Sequence, residues 1–229
     1  MVYNIIATSI FICIGYAYNV QYGDELNQDG NNAQNAAMGG LSVSYSDGCS
    51  PALLINQHTS SIHFSHNNKF NGQAKITILS YFHPGRNFPI FLGLKSRLVN
   101  NIPDTRQAWI DNGNSIPETS EINYFNIYEI FQQEIGLTLS TVKFIGSYIF
   151  GFSIKPSFAS LAEFKSYGIF GDIVVMRQLI DKVDVTLRFE DIVGLKYWNS
   201  GTLETIPPLF MGGIYYRFSR LMIGLETGS

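Results

Sequence analysis

The sequence predicts an all-β protein, an antiparallel transmembrane β-barrel, and three observations carry that class. Apolar and polar residues alternate with period two through most of the chain, which is the signature of strands with one face against an apolar phase. Charged residues make up only 14% of the 229 residues, against roughly 25% in soluble domains. Aromatic residues also make up 14%, with 17 Phe and 13 Tyr but 2 Trp, and there are 21 Gly. A barrel in lipid needs an apolar outer band with aromatic borders, and little surface charge. The net charge of −3 gives no electrostatic footprint for nucleic acid.

Residues 1–17 read as a signal peptide. Ile5 to Ile14 is mostly apolar, and Gly15-Tyr16-Ala17 has the small-x-small pattern of a cleavage site before Tyr18. The stretch is short for a transmembrane helix, and no later window holds about 18 apolar residues. Its Met-Val-Tyr-Asn start lacks the usual Lys or Arg. Cys13 lies within this segment and follows Ile12, where a lipoprotein site would want a small residue. Cys49 is then the single cysteine of the mature chain, which excludes an internal disulfide and a cysteine metal site.

Residues 18–58 are mostly polar in their first half and are expected to plug or cap the barrel; strands occupy 59–229. The clearest is Val183 to Glu190, where every odd residue is apolar and every even one polar. In 131–141, Ile135, Leu137 and Leu139 oppose Gln132, Glu134, Thr138 and Ser140. In 88–99, Phe88, Ile90, Leu92, Leu94 and Leu98 oppose Lys95 and Arg97. In 73–83, Ile76, Ile78 and Phe82 oppose Lys75 and Thr77. Further strands are expected at 144–155, 166–177 and 208–219, and shorter ones at 59–66 and 220–227. Asn71-Gly72, Pro84-Gly85, Asp181-Lys182 and Asn199-Ser200-Gly201 supply turn signals. Residues 157–165 offer at most a short helical turn, and 100–124 read as a long surface loop.

In a barrel the polar faces line the interior. Lys75, Lys95, Arg97, Arg188 and Arg217 are thus expected there, paired with Glu134, Asp172, Asp184 and Glu190. Such an interior is either a packed, ion-paired filling or a lumen that passes a ligand. A secreted, soluble β-sandwich alternates too, with its apolar face inward. The two classes are separated by which face of 131–141 and 183–190 is exposed.

No catalytic constellation emerges. His58, His63, His66 and His83 stand near Ser61 and Ser65, with Asp47 upstream, but no Gly-x-Ser-x-Gly elbow accompanies them. Their expected places are loops and strand ends, and no metal is assigned to them. Asp111 to Glu118 is rich in oxygen ligands, yet too sparse in carboxylates for a calcium loop of six to eight ligands. Gly39-Gly40 is no phosphate loop, because no Lys-Ser/Thr follows. No cofactor is implied.

Two stretches resemble a known family. The first is Ala36-Ala37-Met38-Gly39-Gly40-Leu41 through Asp47, continuing to Asn56-Gln57-His58, where the family has Asn-Pro-Ala. The second begins at Arg188-Phe189-Glu190-Asp191, passes Trp198-Asn199-Ser200-Gly201 and Glu204-Thr205-Ile206-Pro207, and ends at Gly212-Gly213-Ile214-Tyr215-Tyr216. Both are similar to motifs of the PorV/PorQ outer-membrane proteins, over roughly residues 36–218. The motif positions are Gly39, Gly40, Asp47, Asn56, Asp191, Trp198, Gly201 and Pro207, with Glu190-Asp191 expected in an acidic turn. The resemblance implies a FadL-like barrel in the cell outer membrane, with the N-terminal segment in the lumen and no catalysis. The partners implied are membrane lipid, a hydrophobic small molecule or proteins of the type IX secretion machinery. It also implies about 14 strands, whereas about nine are legible, so an incomplete barrel is expected.

Overall fold

The computed structural model describes residues 26, 54, 58–85, 88–113, 116, 118–217 and 222–228. Ten strands form one antiparallel sheet: β1 (Ser61–Lys69), β2 (Ala74–His83), β3 (Ile90–Asp104), β4 (Tyr128–Ile145), β5 (Tyr148–Leu161), β6 (Phe164–Ile180), β7 (Val183–Trp198), β8 (Leu203–Thr205), β9 (Leu209–Arg217) and β10 (Met222–Gly228). Each pairs with its sequence neighbour, except that β7 pairs with β8 near one end and with β9 along the rest. Among the described residues no pairing joins β1 to β10, and these two edge strands run in the same direction.

The two ends of the sheet differ. At one, the turn end, Gly146-Ser147 and Asp181-Lys182 are two-residue turns. At the other, the loop end, long connections span 105–127 and 199–208, beside tight turns at 70–73 and 162–163.

The strands are longer than their periodicity suggested. The alternation across 144–155 is broken by the Gly146 turn, where φ is +63°. Residues 157–165 are no helical turn: β5 runs through Leu161, and β6 resumes at Phe164. Ala162 turns there with φ +50°. Tertiary bonds hold that turn: Arg106 donates to the Glu163 carboxylate, and the Asn199 amide donates to the Glu163 carbonyl at 3.3 Å.

The faces have a fixed polarity. On one lie Ser80, Lys95, Glu134, Ser140, Ser153, Lys155, Asp172, Asp184, Arg188 and Lys196, all buried. On the other lie Leu92, Leu94, Ile135, Leu137, Leu139, Ile154, Ile169, Leu187 and Ile214, all exposed. Leu137 is 39% and Leu187 is 50% exposed, whereas Arg188 is 4% exposed. A soluble sandwich requires the reverse, and among the described residues no second sheet covers the apolar face.

The sheet curls around its polar face. Glu134 on β4 and Lys196 on β7 stand three strand steps apart, about 14 Å along a flat sheet. Their charged atoms are nevertheless 3.8 Å apart. Inner-face aromatic rings fill the concavity by leaning over glycines of their own strands. An added Cβ would stand 2.9 Å from the Phe91 ring at Gly93, 2.9 Å from the Phe170 ring at Gly168, and 2.7 Å from the Tyr215 ring at Gly213.

The outer apolar band crosses the hydrogen-bonding rows obliquely. On β1 and β2 it comprises Ile62, Phe64, Leu79 and Tyr81; on β9 it comprises Phe210, Ile214 and Tyr216, displaced toward the turn end. Its centre moves by about six residues over the seven steps from β1 to β9, close to one residue per strand. With about 3.3 Å per residue and 4.8 Å between strands, that drift corresponds to a tilt of about 30°. Lys75 is explained by the same drift. It lies on the outer face, exposed, on the loop-end side of Leu79, and so not in the interior where the sequence placed it. Ile76 and Phe82, its opposites on β2, are the inward residues.

A valine at Gly168 should displace Phe170 and the Ser157 hydroxyl, which would stand 2.5 Å from its Cβ. The expected loss is about 1–3 kcal/mol, measured by denaturant unfolding. Alanine at Gly212, whose Cβ would meet Leu187 at 3.5 Å, should change little.

Candidate functional site: the charged interior

Two ion-pair clusters occupy the concave face. In the first, the Asp172 carboxylate on β6 is 2.9 Å from the Lys155 ammonium and accepts the Ser153 hydroxyl at 2.9 Å. It also accepts the backbone N–H of Asp191 at 3.0 Å. Lys155 bridges to the Asp191 carboxylate at 3.0 Å, and Arg188 pairs with Glu190 and reaches Asp172 at 3.9 Å. In the second, Glu134 receives Arg97 at 3.1 Å and the Gln132 amide at 3.2 Å, with Lys196 at 3.8 Å.

Backbone irregularity builds the first cluster. Between the pairs Gly171↔Val193 and Ile173↔Phe189, β7 places Glu190, Asp191 and Ile192 opposite the single residue Asp172. This is a β-bulge, with Asp191 at φ +51°. The acidic pair expected in a turn therefore lies inside one continuous strand, and the bulge turns Asp191 inward, where it is buried. There β7 changes partner, from β9 at Glu190↔Leu209 to β8 at Leu195↔Thr205. Ile206 tucks against Gly194, where an added Cβ would stand 2.8 Å from it.

Of the predicted interior residues, Lys95, Arg97, Glu134, Asp172, Asp184, Arg188 and Glu190 lie on the inner face, and Lys75 does not. Lys155, Asp191 and Lys196 belong there too. Lys155 opposes the apolar face of its own segment and was legible; the other two needed the register shift at the bulge. Among the described side chains, the inner face holds five cations (Lys95, Arg97, Lys155, Arg188, Lys196) and five carboxylates (Glu134, Asp172, Asp184, Glu190, Asp191); the Arg217 side chain lies outside them.

Of the motif positions, Gly39, Gly40, Asp47 and Asn56 lie outside the described residues. Trp198-Asn199-Ser200-Gly201 is a structural turn. Gly201 adopts φ +90° and donates its N–H to the Trp198 carbonyl at 2.9 Å. The Asn199 side chain accepts the Lys165 N–H at 3.1 Å, clasping the β5–β6 turn. Lys196 lies 5.2 Å over the Trp198 ring, and Pro207 is exposed.

The histidines do not converge. His63 and His66 point to opposite faces of β1; His66 meets the Thr77 hydroxyl at 2.9 Å, and His83 the Ser60 hydroxyl at 3.2 Å. Among the described residues no cluster of three or more His, Cys, Asp or Glu could hold a metal ion.

The 105–127 loop is organised by Glu121. Its carboxylate accepts the Trp109 indole N–H at 2.8 Å and the backbone N–H groups of Asn112 and Glu118 at 3.0 and 3.2 Å. Trp109 and Ile122 form an isolated antiparallel bridge alongside.

Aromatic residues border the outer band. Toward the turn end stand Tyr81, Tyr148 and Tyr216; toward the loop end stand Phe131, Tyr167 and Tyr197. Arg177 donates to the Tyr148 hydroxyl at 3.0 Å and covers its ring. From Tyr167 to Arg177, β6 rises about 33 Å, or roughly 29 Å along the normal at the tilt derived above. Outer-membrane barrels have an apolar band about 25 Å tall.

No family model matches the chain, and no curated protein matches it. Two solved structures, both of OmpT of Vibrio cholerae, are similar in shape. The in-vitro folded outer membrane protein in its trimer form has 11% identity and a TM-score of 0.47, over 74% of this chain and 53% of that one. The outer-membrane expressed protein has 8% identity and a TM-score of 0.47, over 82% of this chain and 61% of that one. This chain therefore spans 53% and 61% of those two chains.

Asp172→Asn should leave Lys155 and Arg188 undercompensated and cost about 3–5 kcal/mol, read by denaturant unfolding. The paired change Lys155→Met with Asp172→Leu should recover part of the loss; equal loss in both would show that the charges are not coupled.

The Trp109 indole, the largest influence, holds the Glu121 carboxyl below its ordinary pKa. A lowered folded pKa contributes stability above the unfolded value and loses it as pH falls through the folded one. Trp109 fluorescence, with Trp198 replaced by Phe, should therefore keep its neutral-pH signal until pH drops below the usual carboxylate range. In Glu121→Gln that acid transition should vanish.

Proposed function

We propose that this chain forms the wall of an outer-membrane β-barrel of the PorV/PorQ type, FadL-like in architecture, with no catalytic role. The carrying observation is the polarity of the curled sheet: aliphatic residues outward between aromatic borders, and paired charges inward. In a bilayer, the outward face meets hydrocarbon and the inward charges stay away from it. The oblique apolar band supports the same placement, since its tilt of about 30° is near the roughly 35–45° of membrane barrels. Residues 18–58 are the lumen segment in this reading. Of them, Leu26 lies against Gly136, and Leu54 joins Phe82, Phe91, Val142, Ile149, Val174 and Met176 in a cluster at the turn end.

Two roles go with that family: passage of a hydrophobic molecule, and docking in type IX secretion. The Glu134–Lys196 pair across three strands and the cluster around Leu54 fill the described interior, which favours docking. Outer-membrane barrels carry short turns on the periplasmic side and longer loops outside. The loop end, with 105–127 and 199–208, is therefore the outward face and the place for a secretion partner.

Single cysteines at Leu137, Thr138, Leu187 and Arg188, in a background without Cys13 and Cys49, test the placement. Positions 137 and 187 should react with a membrane-confined thiol reagent and not with an aqueous one, and 138 and 188 should not react with the membrane-confined reagent. Protein that is soluble without detergent, with 137 and 187 reacting from water, would sink the proposal.

A further inference from the structure

One row of paired residues crosses the inner face from β3 to β7: Arg97, Glu134, Ala159, Ser166 and Trp198. Its last two members carry buried polar atoms of an uncommon kind. Ser166 is fully buried, and among the described residues neither its hydroxyl nor the buried Trp198 indole nitrogen has a hydrogen-bond partner. Both groups can donate, and the indole N–H can do nothing else. A buried donor left unpaired costs a folded chain stability, and here two of them stand on facing strands.

The backbone holds the two donors in place. Trp198 donates its N–H to the Thr202 carbonyl and accepts the Gly201 N–H, both at 2.9 Å. One residue on, the Asn199 N–H donates to the Lys165 carbonyl at 2.8 Å, and the Asn199 side chain accepts the Lys165 N–H at 3.1 Å. Ser166 and Trp198 are thus fixed opposite each other, their Cα atoms about 5 Å apart as in any antiparallel pair. Ala159, next in the row, has too small a side chain to close the space, and with Glu134 and Lys196 it borders a small cavity. Charge around the site is already matched, since the Glu134 carboxylate has Arg97 at 3.1 Å and Lys196 at 3.8 Å. An arriving anion would meet that carboxylate, so a neutral acceptor fits better. A carbonyl oxygen has two lone pairs and can accept from both donors.

Toward the loop end the same face turns apolar. The next row is Val99, Gln132, Leu161 and Phe164, and beyond it Ile102 pairs with Ile130. These residues are half-buried, apart from Phe164, which is 38% exposed. We propose that Ser166 and Trp198 form a binding site for a small, neutral carbonyl compound (a ketone, ester or amide), with its oxygen on the two donors and its apolar body along Leu161, Phe164 and Ile130. The proposal rests on the barrel reading for the direction of entry, from the loop end, and adds a ligand to it.

The test uses the full chain in detergent micelles with Trp109→Phe, which leaves Trp198 as the single tryptophan. Its emission is titrated with methyl pentyl ketone, hexanoate and hexane, and protein-free micelles are subtracted. The ketone should give a saturable change, and Ser166→Ala should weaken its binding about tenfold, one decade in Kd. Hexane, which has no acceptor, should behave alike in the parent and in Ser166→Ala. The denaturant midpoint of Ser166→Ala should not fall, because the change removes a buried hydroxyl that nothing satisfies; a fall would show that the hydroxyl serves the fold and would overturn the site. So would the lack of a saturable ketone response, or one that Ser166→Ala leaves unchanged. Hexanoate binding as tightly as the ketone would overturn the neutral class of ligand. Failure of the cysteine labelling at 137 and 187 would count against the barrel reading and leave a positive binding result standing.

Discussion

Everything in this sheet depends on where ten charges go. An outward face of Leu, Ile and Phe leaves one place for Lys95, Arg97, Lys155, Arg188 and Lys196, and that place is the concavity. Charges removed from bulk water are tolerated only when paired and hydrogen-bonded, and among the described side chains five carboxylates share the concavity with those five cations. Pairing across two and three strands then draws the sheet into a curve. The electrostatic requirement and the curvature are two aspects of one solution.

Much of this was legible because period-two alternation survives wherever a strand separates two phases. In 131–141 of β4 and 183–189 of β7 the apolar residues stand opposite Glu134, Asp184 and Arg188, and burial follows the written alternation; past 141 it reverses, with Val142 inward and Lys143 outward. Lys75 misled for a geometric reason. A strand tilted against its band carries polar residues outward once it leaves the band, and one strand read alone cannot reveal its tilt. Asp191 misled for another: an acidic pair beside β-branched residues reads as a turn, and only the Asp172 carboxylate receiving its N–H shows that the strand continues.

The turns divide along the same line. Asn71-Gly72 and Asn199-Ser200-Gly201 contain residues suited to positive φ, so their positions could be read directly. Leu161-Ala162-Glu163-Phe164 contains none. Its geometry is imposed by Arg106 and Asn199, which are distant in sequence and reach the turn only after the sheet has formed. Local signals place turns that are stable by themselves, while tertiary contacts place the rest. A soluble sandwich would bury this face, and among the described residues no second sheet covers its hydrocarbon-like side chains.

The parallel sense of the two edge strands bears on how such molecules could meet in a membrane. Copies inserted with the same topology all present their edge strands pointing one way, whichever edges face each other. An antiparallel junction between two copies would need one of them upside down. Backbone pairing between these two described edges in copies of one topology is thereby restricted to the less stable parallel arrangement.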